Sequence, residues 1–197
     1  MILQKKKNTF IRRIQRFFPN FAIMNISWSE IKPYENELPT NYADRIGRLY
    51  TDTVTAAFKK SNGQFFTPVS IAYFMGRQIS VNKDFISVLD PGCGTAILSC
   101  AVIENLVLQS KVKRIELVTY ETDENLIPGL QKVLEYITMW GMRHNVRIDC
   151  RSYCEDFILS NYSVLYSDTI YERAENLQKY DLIISNPPYF KLSKEDK

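Results

Sequence analysis

Apolar residues follow two different spacings along this chain. Short continuous apolar runs between polar residues are typical of buried strands, and apolar residues three and four apart are typical of helices. The short runs predict four strands, at Phe85–Leu89, Ile115–Tyr120, Val146–Cys150 and Leu182–Ser185. The helical spacing predicts segments at Asn41–Lys60, from Pro68 onward, at Ala96–Gln109 and at Asn125–Trp140.

Each predicted helix is expected to bury one face, and local residues indicate where two of the helices stop. Asn62-Gly63 ends the first helix, and Gly141 stops the last one. The inward residues expected in the first helix are Ile46, Leu49, Thr53, Ala57 and Phe58. Those expected in the last helix are Leu130, Val133, Leu134 and Ile137.

Capping residues predict where two helices begin. Thr67 is the expected N-cap of the second helix, because Pro68 suits the first helical position. Asp123 is the expected cap of the last helix, since a short acidic side chain can accept from its first N–H groups.

Strands that alternate with helices predict right-handed crossovers and a mostly parallel sheet. The expected fold class is therefore α/β, doubly wound, without internal repeats. A length of 197 residues suits one ordinary domain. We expect that domain at 41–197, preceded by a basic, irregular extension at 1–40.

Composition and charge narrow the class of protein. Hydrophobic residues at 45% and charged residues at 24% are typical of a globular protein, and no apolar run approaches the length of a membrane helix. The net charge is +3, but basic residues cluster at the start of the chain. That segment fits a phosphate-contacting arm, a membrane-surface helix, a transit-like leader or a solvated end. The clustered basic residues are Lys5, Lys6, Lys7, Arg12, Arg13 and Arg16.

The four cysteines show no disulfide pattern. Cys150 and Cys154 lie near His144, but one histidine in the chain and no second cysteine pair argue against a metal site. Reduced thiols and a cytoplasmic location are the expectation.

The fourth predicted strand leads directly into Asn186-Pro187-Pro188-Tyr189. Because neither proline has an N–H, this loop presents carbonyl oxygens and the Asn186 side chain without competing donors. Such an array suits a planar amino group with two hydrogens to donate. Tyr189 supplies a flat face on which a base could stack. The sequence therefore predicts a site that methylates an amine.

Three other strand ends carry candidate ligand-binding residues. In open α/β sheets, ligands bind beyond the carboxyl ends of the strands. Gly92 and Gly94 let the first turn approach a ligand, although Ala96 replaces the third glycine of a dinucleotide site. Glu121 could accept from ribose hydroxyls. Asp156 and Phe157 could contact an adenine, or be a surface acid beside a core ring. Each of these residues could also serve a purely structural role. The order of the motifs along the chain is more specific than any one of them.

In that order, the motifs resemble the N6-adenine DNA methyltransferases of restriction–modification systems over roughly residues 41–190. Gly63–Pro68 is similar to the family's first cofactor motif, and Asp90–Thr95 to its central S-adenosylmethionine (SAM) motif, with Ala96 in place of the usual glycine. Asn186–Tyr189 matches the catalytic tetrapeptide at every position. The resemblance implies a Rossmann-like SAM-dependent methyltransferase sheet.

The resemblance also implies a role for each matched residue. Phe66, Thr67, Asp90 and the Gly92–Gly94 backbone would border the methionine end of SAM. Glu121 would hold its ribose, while Thr122, Asp156 and Phe157 would surround its adenine. Asn186 and Pro187 would accept hydrogens from an adenine flipped out of duplex DNA, and Tyr189 would stack on that base. The cofactor-binding residues implied are Phe66, Thr67, Asp90, Gly92, Cys93, Gly94, Glu121, Thr122, Asp156 and Phe157; the catalytic residues are Asn186, Pro187, Pro188 and Tyr189.

The family's sheet normally continues beyond the catalytic loop into a target-recognition region, whereas only Phe190–Lys197 follow here. The expectation is an amino-terminal fragment with a sheet incomplete at the carboxyl end, inactive alone or dependent on a complementing chain. A restriction or specificity subunit is a further expected partner.

Other readings of the tetrapeptide stay open. Protein-glutamine and ribosomal-RNA guanine methyltransferases carry similar motifs, and a cytosine-N4 enzyme would more usually have serine in place of Asn186. A remnant that binds SAM or DNA without catalysis is the non-enzymatic alternative. The Gly63–Pro68 motif and the Asp90–Cys93 turn favour DNA adenine.

Overall fold

The computed structural model describes residues 26–54, 66–162 and 178–187. Four strands form one parallel sheet in the order β3-β2-β1-β4, which confirms the predicted α/β class. The strands are β1 Phe85–Asp90, β2 Arg114–Tyr120, β3 Arg147–Tyr153 and β4 Leu182–Ile183. The first three are longer than predicted, because backbone pairing continues past the apolar runs, and β4 is shorter.

Two crossovers connect β1 to β2 and β2 to β3, and with strands in the order β3-β2-β1, crossovers of one hand place both connecting helices on the same face of the sheet. The helices are α1 Pro39–Thr53, α2 Val69–Arg77, α3 Ile97–Gln109, α4 Ile127–Arg143 and α5 Phe157–Ser160. Both α1 and α2 pack on α3, which is consequently buried on nearly every side. None of the helices in these described ranges is long and apolar enough to cross a bilayer.

The inward face of α1 differs from the predicted one. Tyr42, Ile46 and Tyr50 are fully buried, whereas Leu49 is 37% exposed. A spacing of four residues keeps the buried side chains on one face, and the two tyrosines carry more apolar surface than Leu49. The helix also begins at Pro39 rather than at Asn41. The predicted stop at Asn62-Gly63 and the inward residues Ala57 and Phe58 lie outside the described residues.

Gly141 does not stop α4, which continues to Arg143. The residue lies inside the helix because its missing side chain leaves room for β3: a Cβ there would lie 2.8 Å from Ile148 Cγ1. The inward face predicted for α4 is confirmed. All of its members, Leu130, Val133, Leu134 and Ile137, are buried.

Neither predicted N-cap occupies the cap position. The cap of α4 is Leu126, and Asp123 instead accepts hydrogen bonds from the Asn125 N–H and from the Tyr50 hydroxyl. The cap of α2 is Pro68, one residue later than expected, and Thr67 makes no capping hydrogen bond. In both cases a partner distant in sequence engages the side chain that was expected to cap.

Residues just before α1 pack against the helical layer. A turn at Trp28–Glu30 places the Trp28 ring against Gly129 of α4. The Tyr42 hydroxyl donates to the Ile31 carbonyl at 2.9 Å, and the Tyr136 hydroxyl donates to the Glu37 carbonyl. These contacts join the described part of the extension to the domain. The division at residue 40 stays a prediction.

Gly76 is expected to be the glycine whose replacement costs the most stability in the helical layer. A Cβ on Gly76 would lie 2.7 Å from the Ala101 carbonyl oxygen of α3, and backbone cannot turn aside as a side chain can. We expect Gly76→Ala to lower the free energy of unfolding by about 1–3 kcal/mol, net of alanine's better helix propensity. Urea denaturation measures the change.

The matched control is Gly92→Ala, because a Cβ at Gly92 would meet nothing within 4 Å. Its unfolding free energy should stay within about 0.5 kcal/mol of the wild-type value. Equal stability of Gly76→Ala and wild type would show that α2 can move away from α3 without loss.

Candidate active site

A cavity of about 750 Å³ opens at the carboxyl ends of the parallel strands. This is the edge where open α/β sheets bind ligands. The cavity brings together the residues predicted to bind a cofactor and the described part of the predicted catalytic loop. They are Phe66, Thr67, Asp90, Gly92, Cys93, Gly94, Glu121, Thr122, Asp156, Phe157, Asn186 and Pro187. Pro188 and Tyr189 lie outside the described residues.

Asp90 ends β1 and borders the cavity while being only 1% exposed. Ser99 donates to its Oδ2 atom at 2.6 Å. The other oxygen, Oδ1, forms no hydrogen bond of good geometry with the described residues, although the Gly92 N–H is near enough to lower the pKa. Burial dominates and raises the pKa of Asp90 to about 7, with Glu121 adding to the rise. A buried carboxylate oxygen with no well-formed hydrogen bond to the described residues therefore lies beside the cavity.

The turn after β1 relies on left-handed backbone. Gly94 has φ of +55°, and a Cβ on it would lie 3.3 Å from the Phe66 ring. Ala96 has φ of +60° although it carries a side chain. Glycine adopts that conformation at less cost, which gives a physical reason for a glycine at this position in related motifs. The turn brings backbone and the Phe66 ring close to the cavity.

Glu121, at the end of β2, joins the first two strand ends. Its carboxylate accepts from the Gly94 N–H at 2.9 Å and from the Asp123 N–H at 2.8 Å. Burial is the largest cause of its raised pKa. The Thr122 N–H also lowers the pKa of this carboxyl, and since a carboxylate has about four acceptor positions, capacity for a hydroxyl donor remains. Its role toward a ribose stays a prediction.

Tyr50 is a site-supporting residue that sequence reasoning missed. Its buried hydroxyl donates to Asp123, which follows Glu121 by two residues. Its ring also meets Phe66 edge-on, with 6.1 Å between centroids. The spacing of Tyr42, Ile46 and Tyr50 on α1 could have revealed a buried tyrosine. No sequence signal indicates its partner.

An aromatic cluster contributes Tyr120 and Phe157 to the lining of the cavity. Phe157 meets Tyr120 edge-on at 5.1 Å, and Tyr120 stacks on Tyr153 at 4.9 Å. Asp156 is the N-cap of α5, accepting from the Leu159 N–H at 2.9 Å. The neighbours of Phe157 thus hold its ring in place at the wall, and Asp156 keeps one carboxylate oxygen engaged with the helix.

Asn186 follows β4 and faces the start of α2. Its side-chain Nδ2 donates to the Thr67 hydroxyl oxygen at 3.0 Å. Asn186 is half-buried, and Thr67 is 6% exposed. The hydrogen bond joins the first and last predicted motifs at the lining of the cavity.

The electrostatic character of the cavity is acidic. Its described lining contains no lysine, arginine or histidine. Its acidic members are Asp90, Glu121, Asp123, Glu124, Glu155 and Asp156. Cations are therefore favoured inside and phosphate groups disfavoured.

Two other kinds of chemistry lack support in the described ranges. No group of three or more histidine, cysteine, aspartate or glutamate side chains there is arranged to hold a metal ion. Cys93 lines the cavity, but burial raises the pKa of its thiol far above the usual value. It is consequently a neutral thiol and a poor nucleophile.

The sequence model of the family described as N-6 DNA Methylase matches residues 42–197. Type II methyltransferase M.AccI of Acinetobacter calcoaceticus is 32% identical over 151 residues, which is 77% of this chain and 22% of that protein. Type II methyltransferase M.BsuBI of Bacillus subtilis is 32% identical over 141 residues, 71% of this chain and 26% of that protein.

A more distant relative is the Type I restriction enzyme MpnII methylase subunit of Mycoplasma pneumoniae, 25% identical over 78% of this chain and 27% of that protein. The chain thus spans about a quarter of the length of these curated relatives. The family match covers most of the chain and includes the cavity residues at all four strand ends. The chain therefore belongs to the N-6 DNA Methylase family.

Proposed function

We propose that this protein transfers a methyl group from SAM to the N6 atom of adenine in DNA, as part of a restriction–modification system. The observation that carries the proposal is the position of Asn186, whose amide lies at the same cavity as the Asp90–Gly94 turn. The family match and the Type II relatives give the proposal its substrate.

The residues at the cavity fit SAM. The buried Asp90 oxygen suits an ammonium donor, and the acidic lining suits a ligand with net positive charge. When bound, SAM supplies a methyl group activated by its attachment to a positively charged sulfur. Phe66 and Thr67 would border its methionine end and Glu121 its ribose.

Thr122 and Phe157 would flank the adenine ring of the cofactor. The Phe157 ring, held edge-on by Tyr120, is suited to stacking on a flat base. Asp156 would accept from the adenine amino group with the carboxylate oxygen that does not cap α5. The Gly92–Gly94 backbone and Cys93 would also border the methionine end of SAM.

Asn186 and Pro187 would act on the target amine. An adenine amino group is a weak nucleophile, because its lone pair is delocalised into the ring. Acceptance of its two hydrogens by the Asn186 side-chain oxygen and the Pro187 carbonyl favours a pyramidal nitrogen and directs the lone pair to the methyl group. Fixed acceptors and proximity supply the rate enhancement. Stacking of the base on Tyr189 stays a prediction.

The charge of the cavity supports a flipped base as the substrate. The acidic lining disfavours the phosphate backbone, whereas a neutral adenine can enter alone once it leaves the duplex. Contacts that read the DNA sequence would lie outside this cavity. A specificity or restriction subunit, or a complementing carboxyl-terminal chain, would supply them, and the complex would act in the cytoplasm.

The test is methyl transfer from labelled SAM to unmethylated genomic DNA, followed by mass spectrometry of the nucleosides. N6-methyladenine is the expected product. N4-methylcytosine, or label that enters only protein glutamine or ribosomal RNA, would replace the proposal with one of the alternative methyltransferase functions. If no methylated product forms, calorimetric titration with SAM shows whether the protein fails to bind SAM or binds SAM without transferring its methyl group.

SAM affinity is expected to rise with pH up to about 7. Because burial raises the pKa of Asp90 to about 7 from 3.8, the carboxyl is largely protonated at lower pH and cannot attract an ammonium group. We expect affinity to increase roughly tenfold between about pH 5.5 and 7. Isothermal titration calorimetry at several pH values measures it.

Asp90→Asn, which keeps the shape of the side chain, should bind SAM weakly and with little pH dependence. The same raised pKa has the opposite effect on folding: the native state holds a proton that the unfolded chain releases, so this group's contribution to stability falls as pH rises from 3.8 to about 7. If SAM affinity in Asp90→Asn rises with pH as steeply as in wild type, a group other than Asp90 causes the pH dependence of binding.

A further inference from the structure

The hydrogen bond between Thr67 and Asn186 joins the start of α2 to the residues that follow β4. Thr67 comes two residues before α2, in whose first turn the N–H groups of Ile71 and Ala72 donate to the Pro68 carbonyl at 3.0 Å. The helix then packs closely on α3 through Gly76. Asn186, in contrast, follows a strand of two residues. Thr67 is therefore the better-anchored partner.

The direction of the Asn186 amide decides whether it can serve the proposed chemistry. A side-chain amide has an accepting oxygen at one end and a donating NH₂ group at the other. An adenine amino group has hydrogens to donate. If the amide presented its NH₂ group instead of its oxygen, two donors would face each other and no hydrogen bond would form. Rotation about the last side-chain bond of asparagine has only a broad preference. A neighbouring group must therefore hold the amide.

The contact with Thr67 has the polarity that this role needs. Nδ2 of Asn186 donates to Oγ1 of Thr67, so the amide nitrogen is directed to the helix and the amide oxygen away from it. Low exposure of Thr67 shields the bond from water. The hydroxyl keeps its own hydrogen and can still donate to a ligand.

We propose that Thr67 is a positioning residue that orients the Asn186 amide, with its oxygen toward the target amine. The inference rests on the proposed function and adds to it a specific link between the first cofactor motif and the catalytic loop. Thr67 would thereby act on the transfer step through Asn186, in addition to any contact with SAM.

The test compares Thr67→Val, which removes the hydroxyl and keeps the branched shape, with Thr67→Ser, which keeps the hydroxyl. Thr138→Val is the matched control, because Thr138 donates to the Leu134 carbonyl within α4 and does not line the cavity. The first readout is the pair of NMR signals from the Asn186 side-chain NH₂ group. These signals are assigned by their absence from the spectrum of Asn186→Ala. The second is SAM affinity.

We expect Thr67→Val to shift the Asn186 NH₂ signals and speed their exchange with water, while Thr67→Ser and Thr138→Val leave them near their wild-type positions. SAM affinity should change less than about threefold in Thr67→Val, whereas kcat for methyl transfer falls by about 10–100-fold, since small errors of position cost that much. Thr67→Ser should restore most of the loss.

Unchanged NH₂ signals in Thr67→Val would overturn the proposal. So would a loss of SAM affinity as large as the loss of kcat, because it would make Thr67 only a cofactor contact. Failure of the proposed function gives a different pattern: the wild-type protein, supplied with any complementing chain, forms no N6-methyladenine, while the NH₂ signals still respond to Thr67→Val.

Discussion

Asn186→Ala is expected to reduce methyl transfer by about 10²–10³-fold or more, while SAM affinity stays within about twofold of wild type. The alanine removes the oxygen that would accept from the target amine, and the cavity keeps every other group that would contact the cofactor. Because the side chain is only half-buried, its loss leaves no large void and the fold should persist. Single-turnover transfer from labelled SAM measures the effect.

The control for this change is Asn41→Ala, an exposed asparagine on α1 that does not line the cavity. It should transfer methyl groups at the wild-type rate. If Asn186→Ala retains more than about a tenth of wild-type transfer, an acceptor other than its side-chain oxygen must serve the amine, and the catalytic assignment is wrong.

Gly94→Val is expected to weaken SAM binding by about 100-fold. Valine is strongly disfavoured at the φ of +55° that Gly94 adopts, and its Cβ would press on the Phe66 ring at 3.3 Å. Relief of either strain moves the turn, which also breaks the hydrogen bond from the Gly94 N–H to Glu121. Calorimetric titration with SAM, alongside a urea melt, separates this effect from unfolding.

Gly94→Asn is the matched control, since asparagine tolerates the left-handed conformation better than other residues with side chains. It should bind SAM more tightly than Gly94→Val, although less tightly than wild type because of the Phe66 contact. Equal affinity in Gly94→Val and wild type would show that the turn near Asp90 is only structural.

Much of the architecture followed from local pattern. The four strands, their parallel pairing and the inward face of α4 were predicted correctly, because buried strands and helix faces depend on the spacing of apolar residues. Helix ends were predicted less well. Gly141 continues a helix because β3 approaches it closely, and Asp123 leaves the cap position because Tyr50 binds it. Both reasons involve residues from another part of the chain.

The sequence by itself determined which residues lie at the ends of the strands, since the chain order of strands and motifs sets them there. Those residues include Asp90, Glu121, Asp156 and Asn186, each in or just after its own strand. It also determined the chemical groups available there: glycine backbone, carboxylates, an aromatic ring and an amide.

Only the tertiary structure decided how those groups act on one another. The bond from Asn186 to Thr67 spans 119 residues, and that from Tyr50 to Asp123 spans 73. The raised pKa of Asp90 likewise depends on the helices and strands that exclude water around it. Hydrogen bonds and desolvation act over a few ångströms, and local sequence patterns do not specify which distant residues will lie that close.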